Sequence, residues 1–166
     1  MNNQTEEHFE TVDQEGNVTG LAPRSELHNN PALIHRVVHV LVFDSEGRLL
    51  LQKRSMAKDV APGKWDTSVG GHVNPGELME RAASREMKEE LGIEAPLEFR
   101  HQYLFRNQRE SELVYTFTSV HDGPFRLNCD EIDEVRFWEI EEIRGNLGSG
   151  VFSGQFEREF KEYFKK

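Results

Sequence analysis

Acidic residues and glycines dominate residues 71–93 of this 166-residue chain. Its charged residues include the carboxylates of Glu77, Glu86, Glu89 and Glu90 and the guanidinium of Arg85. If the stretch after Gly76 is helical, Glu86 and Glu90 share a face and Glu89 lies beside them, because residues four apart are neighbours on a helix. Three carboxylates within one turn repel each other unless a cation lies among them. Mg2+ prefers such oxygen ligands and usually binds together with substrate phosphates, so this segment predicts a metal-diphosphate site.

The same segment predicts a helix with one inward face. Gly76 and Glu77 open it, and Gly92 is a C-terminal cap after Leu91. Apolar residues then recur every four positions, at Met79, Ala83, Met87 and Leu91. This spacing is typical of a helix that packs one stripe against a core and exposes the rest.

Composition restricts the partners of the chain. Its length suits one domain, residues 1–166, and eleven Phe and two Trp can fill an interior even though only 36% of the residues are hydrophobic. A net charge of -10 argues against a nucleic-acid polymer as partner, because such binding depends on Lys and Arg neutralising phosphates. A small phosphorylated substrate that arrives with a metal ion remains compatible with that charge.

The cellular compartment is predicted from three features. Cys129 is the single cysteine, which excludes an intrachain disulfide and suits a reducing compartment. The first residues lack the basic and apolar regions of a secretory signal. The sequence also lacks an apolar run near the roughly 20 residues that cross a bilayer. We therefore expect a cytoplasmic protein with no membrane partner.

The remaining pattern predicts an α+β fold. Residues 9–20 read as a hairpin within an N-terminal extension, residues 1–35. Further strands are predicted at Val37–Phe43, Leu49–Gln52, Leu97–Phe105, Leu113–Val120 and Val135–Ile140. A short helix is predicted at Glu141–Asn146 and a terminal one through Phe156, Phe160 and Phe164. Because strands outnumber helices and hairpin-type links dominate, a mixed sheet between helices is expected. A homodimer through the hairpin or an exposed strand is conceivable.

The charged segment resembles the Nudix box at every specified position. These positions are Gly71, Glu77, Arg85, Glu86, Met87, Glu89, Glu90, Gly92 and Ile93. The resemblance implies an α/β/α sandwich with a mixed β-sheet. It also implies hydrolysis, dependent on Mg2+ or Mn2+, of a diphosphate linkage in a nucleotide or other nucleoside-diphosphate-type substrate. A metal ion suits this reaction because it lowers the pKa of bound water and polarises phosphorus.

The resemblance also implies a role for each residue of the box. Glu86 and Glu90 would be the main metal ligands, with Gly70 placed in the same metal site. Glu89 would share metal binding or assist as a base. Arg85 would orient a carboxylate, Glu77 in our interpretation.

A second resemblance covers residues 8–155, to the Nudix branch related to type I isopentenyl-diphosphate isomerase. It implies a second metal site for a transition metal, from His28, His35, His72, Glu110 and Glu112. It also implies diphosphate contacts from Arg24, Arg54 and Lys58. The alternative for these residues is an ordinary one, in which the histidines are solvated or hydrogen-bonded and the basic groups belong to the surface.

Gly70 departs from the isomerase pattern, which has its catalytic cysteine at that position. Isomerisation needs an acid and a base on opposite faces of an alkene, and glycine supplies neither. The isomerases' carbocation-stabilising tryptophan also has no counterpart near Gly150. The sequence therefore favours a hydrolase over an isomerase-like protein or a non-catalytic diphosphate-binding module.

Two further sets of residues have two interpretations each. Tyr103, Phe105 and Phe117 either line a pocket for a base or isoprenoid, or belong to the core. Glu131 and Glu134 either supply a general base or lie in a solvated loop.

Overall fold

The computed structural model describes residues 5–165, so predictions for residues 1–4 and 166 lie outside the described part. In chain order the elements are β1 (His8–Val12), β2 (Val18–Pro23), α1 (Arg24–Leu27), β3 (Ile34–Phe43), β4 (Leu49–Arg54), β5 (Trp65–Asp66), β6 (Val69–His72), α2 (Met79–Leu91), β7 (Glu98–Arg106), β8 (Ser111–Val120), β9 (Ile132–Trp138), α3 (Ile140–Asn146) and α4 (Gly154–Tyr163).

The strands form one mixed sheet centred on β3. β3 pairs in parallel with β8, from Ile34 opposite Ser111 to Phe43 opposite Val120. Its pairings with β1, β4 and β6 are antiparallel. The outer strands β2, β7 and β9 pair antiparallel with β1, β8 and β4 respectively. The predicted mixed sheet is confirmed, and β3 is apolar almost throughout because both of its faces are covered.

Alternate side chains of β3 face two helical layers. Val38, Val40 and Val42 join the core cluster that contains α2, where Met87 and Leu91 are fully buried. On the other face, Leu41 packs in a second cluster with these residues of α3 and α4: Ile143, Phe156 and Phe160. Helices therefore cover both faces, and the α/β/α sandwich of α+β class is confirmed.

The second helix begins later than predicted. Gly76 has a φ of 74° and Leu78 is an extended N-cap residue, so α2 starts at Met79 rather than at Gly76 or Glu77. A turn in which the Glu77 amide donates to the Asn74 carbonyl (3.0 Å) precedes it. This turn moves Glu77 off the helix axis and back toward the guanidinium of Arg85.

Other boundaries also differ from prediction. β3 begins three residues earlier, at Ile34, because His35 and Arg36 continue its ladder to β8. α4 ends at Tyr163, so Phe164 is its C-cap residue rather than part of its last turn. The short elements α1, β5 and β6 were not predicted, because two to four residues give no readable periodicity.

The predicted cap of α2 is confirmed by its geometry. Gly92 has a φ of 66°, and its amide donates to the Lys88 carbonyl at 3.0 Å. A Cβ there would lie 2.8 Å from the Cβ of Arg126. Gly92→Ala should therefore lower the free energy of unfolding by about 1 kcal/mol or more, measured by urea denaturation. Gly145→Ala is the control, since a Cβ at Gly145 meets no atom of the described residues within 4 Å. Equal stability of the two variants would contradict the expectation.

β1 and β2 form an antiparallel hairpin at one edge of the sheet. β2 exposes Val18 (55%) and Leu21 (59%), and contact between copies through this hairpin stays a prediction. Within residues 5–165, every helix is too short or too polar to cross a membrane.

Candidate active site

A cavity of about 930 Å3 opens along one end of the sheet. At one side it is lined by Glu86, Glu89 and Glu90 of α2 and by the glycines of β6. At the other side it is lined by His28, His72, Glu110 and Glu112. The parallel pairing of β3 with β8 assembles the histidine side, because it sets His35 directly opposite Glu112. Strand β6 joins the two sides, because Gly70, Gly71 and His72 are consecutive.

Arg85 holds the carboxylates of the α2 segment in place. Its Nε and Nη2 donate to both oxygens of Glu77, at 3.0 and 2.9 Å. Its Nη1 donates to Glu86 at 2.8 Å and to Glu89 at 3.4 Å, and its Nη2 also reaches the carbonyl of His72 at 3.0 Å. One planar guanidinium therefore ties α2 to the preceding turn and to β6. A lysine has too few donors in one plane for this arrangement.

Glu86 and Glu90 each lie against one glycine of β6. The Gly70 amide donates to Glu90 at 3.2 Å, and Gln52 Nε2 donates to the other oxygen of Glu90 at 3.0 Å. A Cβ on Gly71 would lie 2.1 Å from the Cδ of Glu86. The glycine pair is therefore needed for close approach: one backbone amide binds a carboxylate, and the next residue leaves room for another. Because glycine has no side chain, only the carbonyl of Gly70 could serve a metal.

The electrostatics of this side of the cavity suit a cation. Burial raises the pKa of Glu86 to about 7, although Arg85 lowers it. Burial also raises the pKa of Glu90 well above its usual value, and the hydrogen bond from Gln52 opposes that shift only in part. The negative charge of Glu131, which lines the same cavity, further raises the pKa of both glutamates. A divalent cation would compensate this excess of negative charge.

The three predicted carboxylates do not converge on one point. Glu90 is 5% exposed and turned toward Gly70, whereas the side chain of Glu89 is 57% exposed. Among the described residues, the acid and histidine groups whose ligand atoms lie within 4.8 Å of one another belong to the histidine side. Glu86 and Glu90 are therefore the better-buried pair, and Glu89 lies at the mouth of the cavity.

The three predicted basic residues also line the cavity. Each lies near a carboxylate: Arg24 is 3.2 Å from Glu7, Arg54 is 3.4 Å from Asp66, and Lys58 is 3.7 Å from Glu131. Arg24 lies at the histidine side, where burial lowers the pKa of His28 and the charge of Arg24 acts in the same direction. Arg54 and Lys58 lie at the opposite side, beside Glu131. These partly exposed pairs are weak, so an incoming phosphate could compete for the cations.

The histidines and glutamates of the predicted second metal site lie close together in the structure. Two groups of ligand atoms fall within 4.8 Å of one another, one from His28, His35 and His72 and one from His35, Glu110 and Glu112. The Nε2 atoms of His28 and His72 lie 3.0 Å apart. Both ring nitrogens of His35 and one oxygen of Glu110 are buried and lack hydrogen-bond partners among residues 5–165. Leaving such groups unpaired is costly, so their arrangement fits a ligand.

Burial keeps these imidazoles neutral. It lowers the pKa of His35 to about 4, with the charges of His28 and Arg24 acting in the same direction. It also lowers the pKa of His72 well below its usual value. Burial raises the pKa of Glu112 to about 7, with a further rise from Glu110. Neutral imidazole is the form that binds metals, so the site suits a transition metal in its donor types and protonation.

Sequence reasoning missed a second buried network, centred on Glu159 of α4. Its carboxylate accepts hydrogen bonds from His39 Nδ1 (2.9 Å), Tyr103 OH (2.8 Å) and Thr116 Oγ1 (2.9 Å), and it lies 3.2 Å from His101 Nε2. Burial by itself lowers the pKa of His39, but Glu159 outweighs it and the pKa is raised. One sequence signal for this network was Glu159, an acidic residue beside the Phe156 and Phe160 stripe of the terminal helix. The other was a histidine inside the apolar run of β3.

This network predicts an acid-sensitive fold. Burial raises the pKa of Glu159, but His101, His39 and Tyr103 together lower it to about 2, against an ordinary value of 4.5. Because the folded pKa is depressed, the stabilisation is present above pH 4.5 and is lost as the pH falls toward 2. Over that window the wild type should lose up to about 1.4 kcal/mol per pH unit more than Glu159→Gln, measured by urea denaturation. Parallel stability curves for the two proteins would contradict this.

The structure also locates the aromatic and acidic residues for which the sequence left two interpretations. Tyr103 and Phe117 are buried in the core, whereas Phe105 is partly buried and lines the cavity. Glu131 lines the cavity. Glu134 is exposed on β9, opposite Lys53.

Comparison with known proteins agrees with this geometry. The profile of the NUDIX domain matches residues 33–156. The chain therefore belongs to the Nudix family, and it is a hydrolase of pyrophosphate bonds. A Pseudomonas aeruginosa protein described as an uncharacterized Nudix hydrolase is 39% identical over 127 residues, which cover 76% of this chain and 75% of that protein.

One further relative places the chain more narrowly. An isopentenyl-diphosphate Delta-isomerase of Nocardia farcinica is 43% identical over 146 residues, covering 84% of this chain and 83% of that one. The predicted relation to the isomerase-like branch of the family is thus confirmed. A crystal structure of a Deinococcus radiodurans protein superposes with a TM-score of 0.83 at 22% identity, covering 96% of this chain and 100% of that one. At this identity it shows the fold alone.

Proposed function

We propose that the chain cleaves a diphosphate linkage in a nucleotide or other nucleoside-diphosphate-type substrate, with Mg2+ or Mn2+ held by Glu86 and Glu90. The observation that supports this best is the buried Glu90 and the partly buried Glu86, both with raised pKa values, beside Gly70 and Gly71. The carbonyl of Gly70 would complete the metal site. When bound, the ion neutralises charge on the phosphates and activates water.

The surrounding residues would orient the reacting groups. Arg85 fixes Glu77 through two hydrogen bonds and holds Glu86 at 2.8 Å, so the ligands keep one geometry. Glu89 is exposed to the cavity mouth, where it would take a proton from the attacking water or share the metal. Gln52 orients Glu90 through its amide. Such preorganisation lowers the barrier because the charges need not rearrange during reaction.

Arg24, Arg54 and Lys58 would bind the substrate phosphates. Arg54 and Lys58 lie on the same side of the cavity as Glu131, close to the α2 carboxylates. Arg24 lies at the histidine side and would reach the phosphates from there. Flexible cationic side chains of this kind neutralise phosphate oxygens and exchange their carboxylate partners for the ligand.

The experiment that tests this function is a substrate panel. Nucleoside diphosphates, nucleoside triphosphates and diphosphate sugars are incubated with the protein and Mg2+, and the products are identified chromatographically as phosphate or monophosphate. We expect turnover of at least one class. Absence of turnover with both Mg2+ and Mn2+ would overturn the function, and tight binding without cleavage would favour a non-catalytic diphosphate-binding module.

Isomerase chemistry is the second candidate, because a relative with that name is 43% identical. Gly70 speaks against it, since this position offers neither acid nor base. Deuterium incorporation into isopentenyl diphosphate would detect the reaction. We expect none, and incorporation above background would replace our proposal by isomerisation.

We further propose a second metal site for a transition metal at His28, His35, His72, Glu110 and Glu112. The support is the set of buried, unpartnered ligand atoms and the lowered pKa values of the histidines. Imidazole and carboxylate together suit Zn2+, Mn2+ or Fe2+.

Substitution of His35 should remove that metal. We expect elemental analysis to find a tightly bound transition metal in the wild type and in His8→Gln, because His8 is exposed and outside the site. His35→Gln should lose it, since His35 belongs to both groups of candidate ligands. Equal metal content in His35→Gln and the wild type, or none in either after loading, would refute the site.

A further inference from the structure

The ring of His39 lies where the buried sheet meets the cavity. β3 and β6 set His39 directly opposite Gly70, and both residues line the cavity. A Cβ on Gly70 would lie 3.3 Å from the Cδ2 and 3.6 Å from the Nε2 of His39. A side chain at position 70 would therefore cover this edge of the ring, and glycine leaves the edge open.

The opposite edge of the ring is fixed by Glu159. The Nδ1 of His39 is 2.9 Å from Glu159, which is fully buried and also accepts from Tyr103 and Thr116. A carboxylate with three donors stays anionic, and it holds a proton on Nδ1. Among the described residues, Nε2 has no hydrogen-bond partner, so it is the free polar atom of this ring.

We propose that His39 contacts the substrate, its Nε2 forming a hydrogen bond with the bound diphosphate. This inference rests on the proposed function and adds a substrate-binding residue to it. Gly70 lies beside both His39 and Glu90, which places Nε2 on the same side of the cavity as the α2 carboxylates.

Two substitutions of His39 distinguish the role of Nδ1 from that of Nε2. In His39→Asn the side-chain amide replaces Nδ1 and can still bond Glu159, but no nitrogen faces the cavity. In His39→Gln the amide reaches the Nε2 position. Thr116→Val is the control, because it removes another donor to Glu159 without touching the cavity edge.

The probe is methylenediphosphonate with Mg2+, which cannot be hydrolysed, and its dissociation constant is measured by calorimetry. His39→Asn should raise the constant about tenfold or more, the effect of losing one hydrogen bond to a charged group. His39→Gln should lose less affinity, and Thr116→Val should keep wild-type affinity. Thermal unfolding of each variant confirms that it is folded.

Several outcomes would overturn the inference. They are wild-type affinity in His39→Asn, an equal loss in Thr116→Val, and failure of the wild type to bind the probe. If His39→Asn does not fold, the imidazole 15N signal of His39 in the wild type, assigned with His39→Gln, decides: it should shift when the probe binds, and no shift overturns the inference. Wild-type protein that binds the probe but hydrolyses no substrate refutes the proposed function alone.

Discussion

Glu90→Gln should lower the rate of diphosphate hydrolysis on the order of 100-fold or more, because it neutralises a main metal ligand. The amide is nearly the same size as the carboxylate, and the hydrogen bond from Gln52 can persist. Replacing a buried carboxylate whose pKa is raised by burial should not weaken the fold. The loss should therefore appear in steady-state kinetics with Mg2+, without a fall in the unfolding temperature.

Glu80→Gln is the matched control for this prediction. Glu80 lies in the first turn of α2 but is exposed, so the same chemical change there should leave the rate unchanged. If Glu90→Gln retained the wild-type rate, Glu90 would have no part in catalysis. If Glu80→Gln lost as much, the effect would belong to the helix rather than to the metal site.

Gly71→Ala should lower activity by a comparable factor, roughly 100-fold, because it displaces the other main ligand. The new Cβ would lie 2.1 Å from the Cδ of Glu86 and within 2.5 Å of both its oxygens. Only the end of a side chain must move, so we expect little loss of stability. The displaced carboxylate also loses its 2.8 Å contact with Arg85, which should raise the metal concentration needed for half-maximal rate.

Gly145→Ala serves as the control for added volume, since a Cβ at that position meets nothing within 4 Å. Kinetics as a function of Mg2+ concentration and urea denaturation together distinguish the effects. Full activity of Gly71→Ala would show that the position of Glu86 is not required. A collapse in stability would show that the glycine serves the fold instead.

The long elements of the fold could be predicted because their periodicity is strong. The apolar run of β3 and the four-residue stripe of α2 each state which face is buried, and the structure agrees. The start of α2 was wrong by two to three residues, because Gly76 and Glu77 belong to a turn that resembles a helix opening in sequence. The parallel pairing of β3 with β8 could not be read, since residues about 77 apart carry no local signal of their contact.

The candidate site could likewise be predicted only where its residues are close in sequence. The spacing of the box placed Arg85 near the three glutamates, because neighbours on one helix face follow from sequence alone. Gln52, His39 and Glu159 lie on three different elements and meet the site only through the tertiary fold. A histidine within an apolar strand and an acid on an aromatic helix stripe are unusual in their segments, but neither pattern names the partner residue. Gln52 has no local signal of its contact with Glu90.

The most direct test of the central claim is the rate of nucleoside diphosphate hydrolysis by the wild-type protein before and after chelation with EDTA. Our account predicts that hydrolysis stops when the divalent cation is removed and returns when Mg2+ is added in excess. Hydrolysis that continues unchanged after chelation would contradict the assignment of Glu86 and Glu90 as ligands of a catalytic metal.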